Sequence, residues 1–369
     1  MTKKKVLVFA GTRPEMIKVA PVIRKFKENP SLQTLLVHTG QHDTLADQVL
    51  NDFDIQVDCR FSLNRTTNSL SELTSLLLEK TQALYDQQKP DLVLSQGDTT
   101  SVFCAGLACF YNRIPFGHIE AGLRTEDIAS PFPEEFNRRA VSLFSQLNFC
   151  PTKRAQENLL RSGINKDSIF LTGNTVIDSL KYIAEKLKVK SPWIKKDAFN
   201  ILFTCHRREN FGDKQGQILQ AMAELCAQFP QLNVIFPVHP NPEVKKNVSR
   251  FFSSVPNMQL IDPLDYKGIV QLLKDCQLTI TDSGGLQEEA PFLGVPVVVI
   301  REETERQEVI EAGLGVLAGT DKNRILAEVS RFVTEASYHR QFVKHMSPFG
   351  DGHASQKILD ITLNFFSKA

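Results

Sequence analysis

Short runs of apolar, largely β-branched residues alternate along the chain with longer stretches in which hydrophobic positions recur every three or four residues. The runs at 5–9, 35–39, 91–95, 116–119 and 147–150 predict strands, and the stretches between them predict amphipathic helices. The pattern starts again after about residue 172, with strands predicted at 201–205, 234–238, 259–261, 278–281 and 297–300. Alternation of this kind makes parallel sheets, and a strand buried on both faces reads as an unbroken apolar run, as Pro296-Val297-Val298-Val299-Ile300 does. The expected fold is therefore α/β: two doubly wound, Rossmann-like domains facing a cleft. One spans 1–172 and the other 173–353, and a last helix over 354–369 is a candidate to pack back on the first.

A chain of 369 residues exceeds what one core usually supports, which agrees with two domains. With 42% hydrophobic and 23% charged residues it has the composition of an ordered globular protein. Lys and Arg number 43 against 42 Asp and Glu, so the net charge of +1 creates no overall field for nucleic acid or an anionic membrane. An anionic ligand must then be held by local groups. The seven cysteines contain no Cys-x-x-Cys pair and fit neither a disulfide framework nor a zinc ribbon, which implies a reducing compartment. The apolar run 6–10 after Lys3-Lys4-Lys5 is too short for a signal peptide and reads as a first strand. No stretch approaches the roughly 18 residues that span a bilayer, so a cytoplasmic protein is expected.

In open parallel sheets ligands bind beyond the carboxyl ends of the strands. The residues with chemistry to offer fall there: Gly11-Thr12-Arg13, Gly97-Asp98-Thr99, Glu120-Ala121-Gly122, His206-Arg207-Arg208-Glu209 and Asp282-Ser283-Gly284-Gly285. Ser283, Gly284 and Gly285 open a helix predicted over 286–292 and offer bare amides to a diphosphate, or form an ordinary tight turn. Glu289, one turn in, could accept from ribose hydroxyls. Arg13, Lys18 and Arg306 are either phosphate ligands or solvated surface charges. Asp98, Glu120 and Glu134 share the first domain, and clustered carboxylates acquire separated pKa values that let one act as base and another as acid. Singly, Asp98 is also a candidate helix cap, Glu134 a helix-start residue, and His206 a structural imidazole.

Neither Gly-x-Gly-x-x-Gly nor the Walker loop occurs, which argues against a nicotinamide cofactor or ATP. His118, His206 and His239 lack metal-ligand spacing, so no metal is expected. No Gly-x-Ser-x-Gly nucleophile elbow is present.

Taken together, Gly11-Thr12-Arg13-Pro14-Glu15 with Lys18, Thr39-Gly40-Gln41-His42, Gly97-Asp98-Thr99-Thr100, His118-Ile119-Glu120-Ala121-Gly122-Leu123-Arg124-Thr125 and Pro133-Glu134-Glu135 with Asn137-Arg138 resemble the non-hydrolysing UDP-N-acetylglucosamine 2-epimerases. Thr172-Gly173-Asn174-Thr175, His206-Arg207-Arg208-Glu209, Asp282-Ser283-Gly284-Gly285 with Gln287-Glu288-Glu289, and Thr304-Glu305-Arg306 continue the likeness in the family's order over nearly the whole chain. The resemblance implies a glycosyltransferase-B-like architecture, a homodimer, and reversible interconversion of UDP-N-acetylglucosamine and UDP-N-acetylmannosamine without a cofactor. It places Asp98, Glu120, Glu134 and His206 on catalytic positions, and Arg13, Lys18, Arg138, Ser283, Gly284, Gly285, Glu289 and Arg306 on substrate-binding ones.

Some members of that family are activated by their own substrate at a second site, and Gln41 and His42 match part of that region. Asn64-Arg65-Thr66-Thr67-Asn68-Ser69 departs from the Pro-Gly-Gln-Thr/Ser-like stretch of relatives, with Asn68 where Gln is frequent. Glu126-Asp127-Ile128-Ala129 also differs from the Gly/Tyr-containing form expected after the Glu120 motif, which leaves room for a modified sugar.

Overall fold

A computed structural model describes residues 3–40, 44–125, 127–207, 210, 212–238, 248, 250–252 and 255–368, the side chains of 44–46 excepted. The chain divides into two compact units, Met1–Lys181 with Phe349–Ala369, and Tyr182–Pro348.

In unit 1 the strands are β1 (Lys4–Ala10), β2 (Leu32–His38), β3 (Cys59–Arg60), β4 (Leu92–Gln96), β5 (Phe116–Ile119), β6 (Leu147–Cys150) and β7 (Ile169–Leu171). They form one parallel sheet in the order β3-β2-β1-β4-β5-β6-β7. β1 lies inside the sheet because, after Lys4 and Lys5, it is apolar: Val6, Leu7, Val8 and Phe9 are fully buried. Leu7 pairs with Leu35 on one side and Val93 on the other.

Unit 2 repeats the plan with β8 (Phe199–Thr204), β9 (Leu232–Pro237), β10 (Met258–Ile261), β11 (Leu278–Thr281), β12 (Val297–Val299) and β13 (Gly315–Leu317), ordered β10-β9-β8-β11-β12-β13. Alternate residues serve opposite faces. Ile201, Phe203 and Val298 join one core with Leu225 and Phe332, while Leu202, Val297 and Val299 join another with Leu273 and Leu286.

The ten strands predicted from the apolar runs are present, and the described residues contain three more. β3, β7 and β13 are edge or near-edge pieces of two or three residues, too short for any periodicity to show. At β13, Gly315 is required by close approach, since a Cβ there would lie 2.4 Å from the Val297 carbonyl oxygen.

The helix Thr175–Lys186 follows β7, and its first half is tied to unit 1. Ser179 Oγ donates to the Ile17 carbonyl, and Asp178 accepts from the Ala354 amide at 3.1 Å and the Ser355 amide at 2.8 Å. Asp178 thereby caps the helix Ala354–Lys368, which packs against the helix Arg13–Glu28. Contact between segments thus divides the chain after Lys181, where the sequence pattern restarts after residue 172. Among the described residues no helix is long and apolar enough to cross a membrane.

In each sheet the order reverses beside the first strand, between β1 and β4 in unit 1 and between β8 and β11 in unit 2. The loops that leave these four strands carry most of the residues singled out above.

Candidate active site

In unit 1, β1 ends at Ala10 and Thr12 caps the helix Arg13–Glu28 in a capping box with Glu15. Glu15 is 3% exposed. Its Oε2 accepts from the Gly11 amide at 2.7 Å and the Thr12 amide at 2.8 Å, and its Oε1 accepts from the Thr99 hydroxyl at 2.6 Å. Burial pushes the Glu15 carboxyl above its usual pKa, and these hydrogen bonds oppose the shift. Arg13 opens the helix half-buried, and its side chain makes no hydrogen bond or ion pair with the described residues.

Lys18, one turn on, reaches Glu120 Oε2 at 2.5 Å, where Gln96 Nε2 also donates. Glu120 lies just past β5 with φ at 67°, a left-handed conformation that costs a non-glycine residue free energy and recurs at functional sites. Gly122, two residues on, has φ at 93°, and a Cβ there would lie 2.2 Å from the Ala155 carbonyl oxygen. This turn aims the Glu120 side chain back toward Lys18.

Asp98 follows β4. It does not cap the next helix: Thr99 takes the cap position before Thr100–Asn112, without a side-chain cap bond. Asp98 instead pairs with Arg138, Oδ2 to Nη2 at 2.8 Å, and Asn137 Nδ2 donates to its carbonyl at 2.9 Å. Although about a quarter of its side-chain surface is accessible, the protein around its carboxyl displaces enough water to push the pKa up. Arg138 and Lys18 oppose that shift, and the negative charges of Glu120 and Glu134 add to it. Glu134 begins the helix Glu134–Phe144, half-buried, and its side chain has no hydrogen-bond partner among the described residues. The structure therefore brings Asp98, Glu120, Glu134, Lys18 and Arg138 into one charge cluster.

His118, on β5, is fully buried and donates from Nε2 to the Gly97 carbonyl at 2.7 Å; burial holds it neutral, with a pKa down to about 4.

In unit 2, Asp282 follows β11 and is fully buried. Its Oδ2 accepts from the amides of His206 and Arg207, each at 2.8 Å, and from Asn210 Nδ2 at 3.1 Å. His206 Nδ1 stands 3.2 Å from Oδ1, close enough for charge attraction when the ring is protonated but without hydrogen-bond geometry, so the carboxylate holds the His206 backbone and lies beside its ring. Ser283 caps the helix Gly284–Glu289, which starts two residues before the span predicted for it and continues as a 3₁₀ turn to Leu293.

Arg306 Nε donates to Glu288 Oε1 at 2.8 Å, and its guanidinium lies against Gly284, where a Cβ would approach Cζ to 3.1 Å. Beside it, burial raises the Glu305 carboxyl, but hydrogen bonds and charge from Arg301, with Arg306, outweigh burial and bring it to about 2. Glu289 is buried and accepts from the Tyr266 hydroxyl at 2.9 Å, whose pKa burial lifts well above the usual phenol range.

Among the described residues no group of three or more His, Cys, Asp and Glu could hold a metal ion. Gln41, His42 and His239, with Arg208 and Glu209, lie outside the described residues. Sequence reasoning included Glu15 and Asp282 in its motifs without giving them a role, and passed over Gln96 and Tyr266. The Thr12-x-x-Glu15 spacing was a visible capping-box signal for the first, and Asp282 adjoins Ser283. Gln96 and Tyr266 had no signal in one sequence.

Residues 24–363 match the family model described as UDP-N-acetylglucosamine 2-epimerase. The UDP-N-acetylglucosamine 2-epimerase of Escherichia coli K12 is 41% identical over 370 residues, covering 98% of each chain, and that of Yersinia pestis is equally similar. The crystal structure of the Neisseria meningitidis UDP-GlcNAc 2-epimerase bound to UDP-GlcNAc aligns with a TM-score of 0.92 at 40% identity, over 98% of this chain and 100% of that one. The Methanocaldococcus jannaschii enzyme, in complex with UDP-GlcNAc and UDP, aligns at 0.81 and 30% identity, over 98% and 99%.

Proposed function

Because this chain belongs to the UDP-N-acetylglucosamine 2-epimerase family and has its glycosyltransferase-B-like fold, we propose that it interconverts UDP-N-acetylglucosamine and UDP-N-acetylmannosamine without hydrolysis. The C2 hydrogen of the sugar adjoins no carbonyl, so simple deprotonation would leave an unstabilised carbanion. In the proposed route a base removes the C2 proton as the C1–O bond breaks, the electron pair forms a C1–C2 double bond, and UDP leaves. UDP then adds back at C1 while an acid protonates C2 on the opposite face. No net oxidation occurs, so no redox cofactor is required.

The observation that carries this reading is the charge cluster in unit 1. Acid/base work at C2 needs carboxylates whose pKa values are driven apart, and Asp98 is raised by burial and by Glu120 and Glu134 while Arg138 opposes the shift. Asp98, Glu120 and Glu134 are the acid/base candidates. The departing diphosphate takes its stabilisation from Arg13, His206, Arg306 and the amides that open the helix at Ser283, Gly284 and Gly285. Glu289 is left to hold the ribose hydroxyls. Its buried setting against Tyr266 supports this, because a fixed acceptor recognises a hydroxyl pair better than a mobile one.

The protein acts as a homodimer. Phe110, Tyr111 and Leu143, on the packed helices Thr100–Asn112 and Glu134–Phe144, are 61%, 70% and 77% exposed, and such large exposed apolar side chains on neighbouring helices support an interface there. The near-zero net charge sets no repulsion between copies. The seven cysteines are all free thiols, in keeping with a reducing cytoplasm. The proposed product, an activated N-acetylmannosamine, would feed surface polysaccharide precursors.

The deciding experiment is proton NMR of the protein with UDP-GlcNAc in D2O. Deuterium at C2 with growth of UDP-ManNAc is expected; free ManNAc with UDP would mean hydrolysis instead, and no change despite binding would remove the proposal.

A further inference from the structure

The two loops that flank the switch point of unit 1 are joined by one side chain. Glu15 reaches the Gly11 and Thr12 amides with one oxygen and the Thr99 hydroxyl with the other. Each contact neighbours a residue with a proposed role: Thr12 precedes Arg13, and Thr99 follows Asp98. Unit 2 has the same device built the other way round. There Asp282, from the loop after β11, accepts from the His206 and Arg207 amides in the loop after β8.

We propose that Glu15 is a positioning residue for the C2 reaction, a buried clamp that holds Arg13 and Asp98 in register across the strands β1 and β4. An exposed capping Glu satisfies its own helix and stops there. Glu15 is 3% exposed and spends its second oxygen on another loop, which helix capping does not require. A buried carboxylate is costly unless each oxygen is satisfied, and here both are. The clamp rests on the functional reading above, since it positions residues that reading assigns.

The geometry separates clamping from charge. Glutamine can keep its carbonyl oxygen on the two amides and turn its amino group to Thr99, whose hydroxyl then accepts instead of donating. Alanine keeps neither contact. The test compares Glu15→Gln and Glu15→Ala as full-length protein, by C2 deuterium exchange, UDP affinity and amide hydrogen exchange at residues 11 and 12.

Expected for Glu15→Ala is a fall in kcat of about 100-fold, the size that a misplacement near 1 Å produces, with UDP affinity weakened less, because of its proposed ligands only Arg13 sits in unit 1. The amides of Gly11 and Thr12 lose protection. Glu15→Gln restores kcat to within about tenfold of the parent, since the acceptor is retained. Wild-type kcat in Glu15→Ala, or a Gln variant as slow as the Ala one, overturns the proposal. If the parent chain shows no C2 exchange, the functional reading has failed, and unchanged amide protection in Glu15→Ala would separately show that no clamp exists.

Discussion

Asp98 and Arg138 meet at 2.8 Å, Oδ2 to Nη2, the one supplied by the loop after β4 and the other by the second turn of the helix Glu134–Phe144. Burial and two carboxylates push Asp98 up while Arg138 pulls it down, so the pair sets the pH at which Asp98 exchanges its proton. Arg138→Met removes the opposing charge, and Asp98 rises further. The limb of the kcat profile that reports Asp98 should move to higher pH by about one unit or more. A profile of C2 exchange against pH checks this; an unmoved profile would separate Asp98 from the chemistry.

The same raised pKa makes a stability prediction. The folded state keeps the Asp98 proton to higher pH than the unfolded chain, so its contribution is fully present below the ordinary carboxylate value of 3.8 and is lost as pH rises through the raised folded value. Asp98→Asn removes that loss. The variant should gain melting temperature over the parent as pH climbs from 4 toward 8, while C2 exchange disappears. Melting curves across that range test it, and a constant difference would contradict it.

In unit 2, Asp282→Asn keeps an oxygen for the His206 and Arg207 amides but turns an amino group toward His206 Nδ1. An amino group at that place favours the imidazole tautomer that accepts at Nδ1 and carries its proton at Nε2, and the carboxylate charge beside the ring is lost. A fall in turnover of about 100-fold or more is expected, as for other His residues forced into the wrong tautomer. Circular dichroism and UDP titration should show a folded, binding-competent protein.

Gly122→Ala addresses the turn that carries Glu120. The new Cβ would lie 2.2 Å from the Ala155 carbonyl oxygen at a φ of 93°, so the backbone must shift. The loss should be about 2 to 4 kcal/mol from combined overpacking and strain. Denaturant melts measure it, and turnover should fall with Glu120 displaced.

Leu143→Glu places a charge in the exposed apolar strip shared with Phe110 and Tyr111. Light scattering should report half the parent's mass at micromolar concentration, with the monomer's fold intact. A monomeric parent would refute the dimer outright.

Alternation of apolar runs with amphipathic stretches was enough to foresee two parallel sheets, because a strand covered on both faces has no exposed side to mark with polar residues. β8 and β12 were legible for that reason. β3 and β13 were not: two or three residues have no period, and they become strands through the neighbour that supplies their hydrogen bonds. Asp98, Glu120, His206 and Ser283 could be picked out by their places after predicted strands.

Their partners could not, because a buried carboxylate and a solvated one are the same letter in a sequence. That Glu15 joins two loops, that Asp282 grips His206, and that Asp98 answers to Arg138 rather than to its own helix follow from which surfaces the fold excludes from water. Once water is gone, each polar group must find its hydrogen bonds in whatever the packing has brought within 3 Å, however distant along the chain.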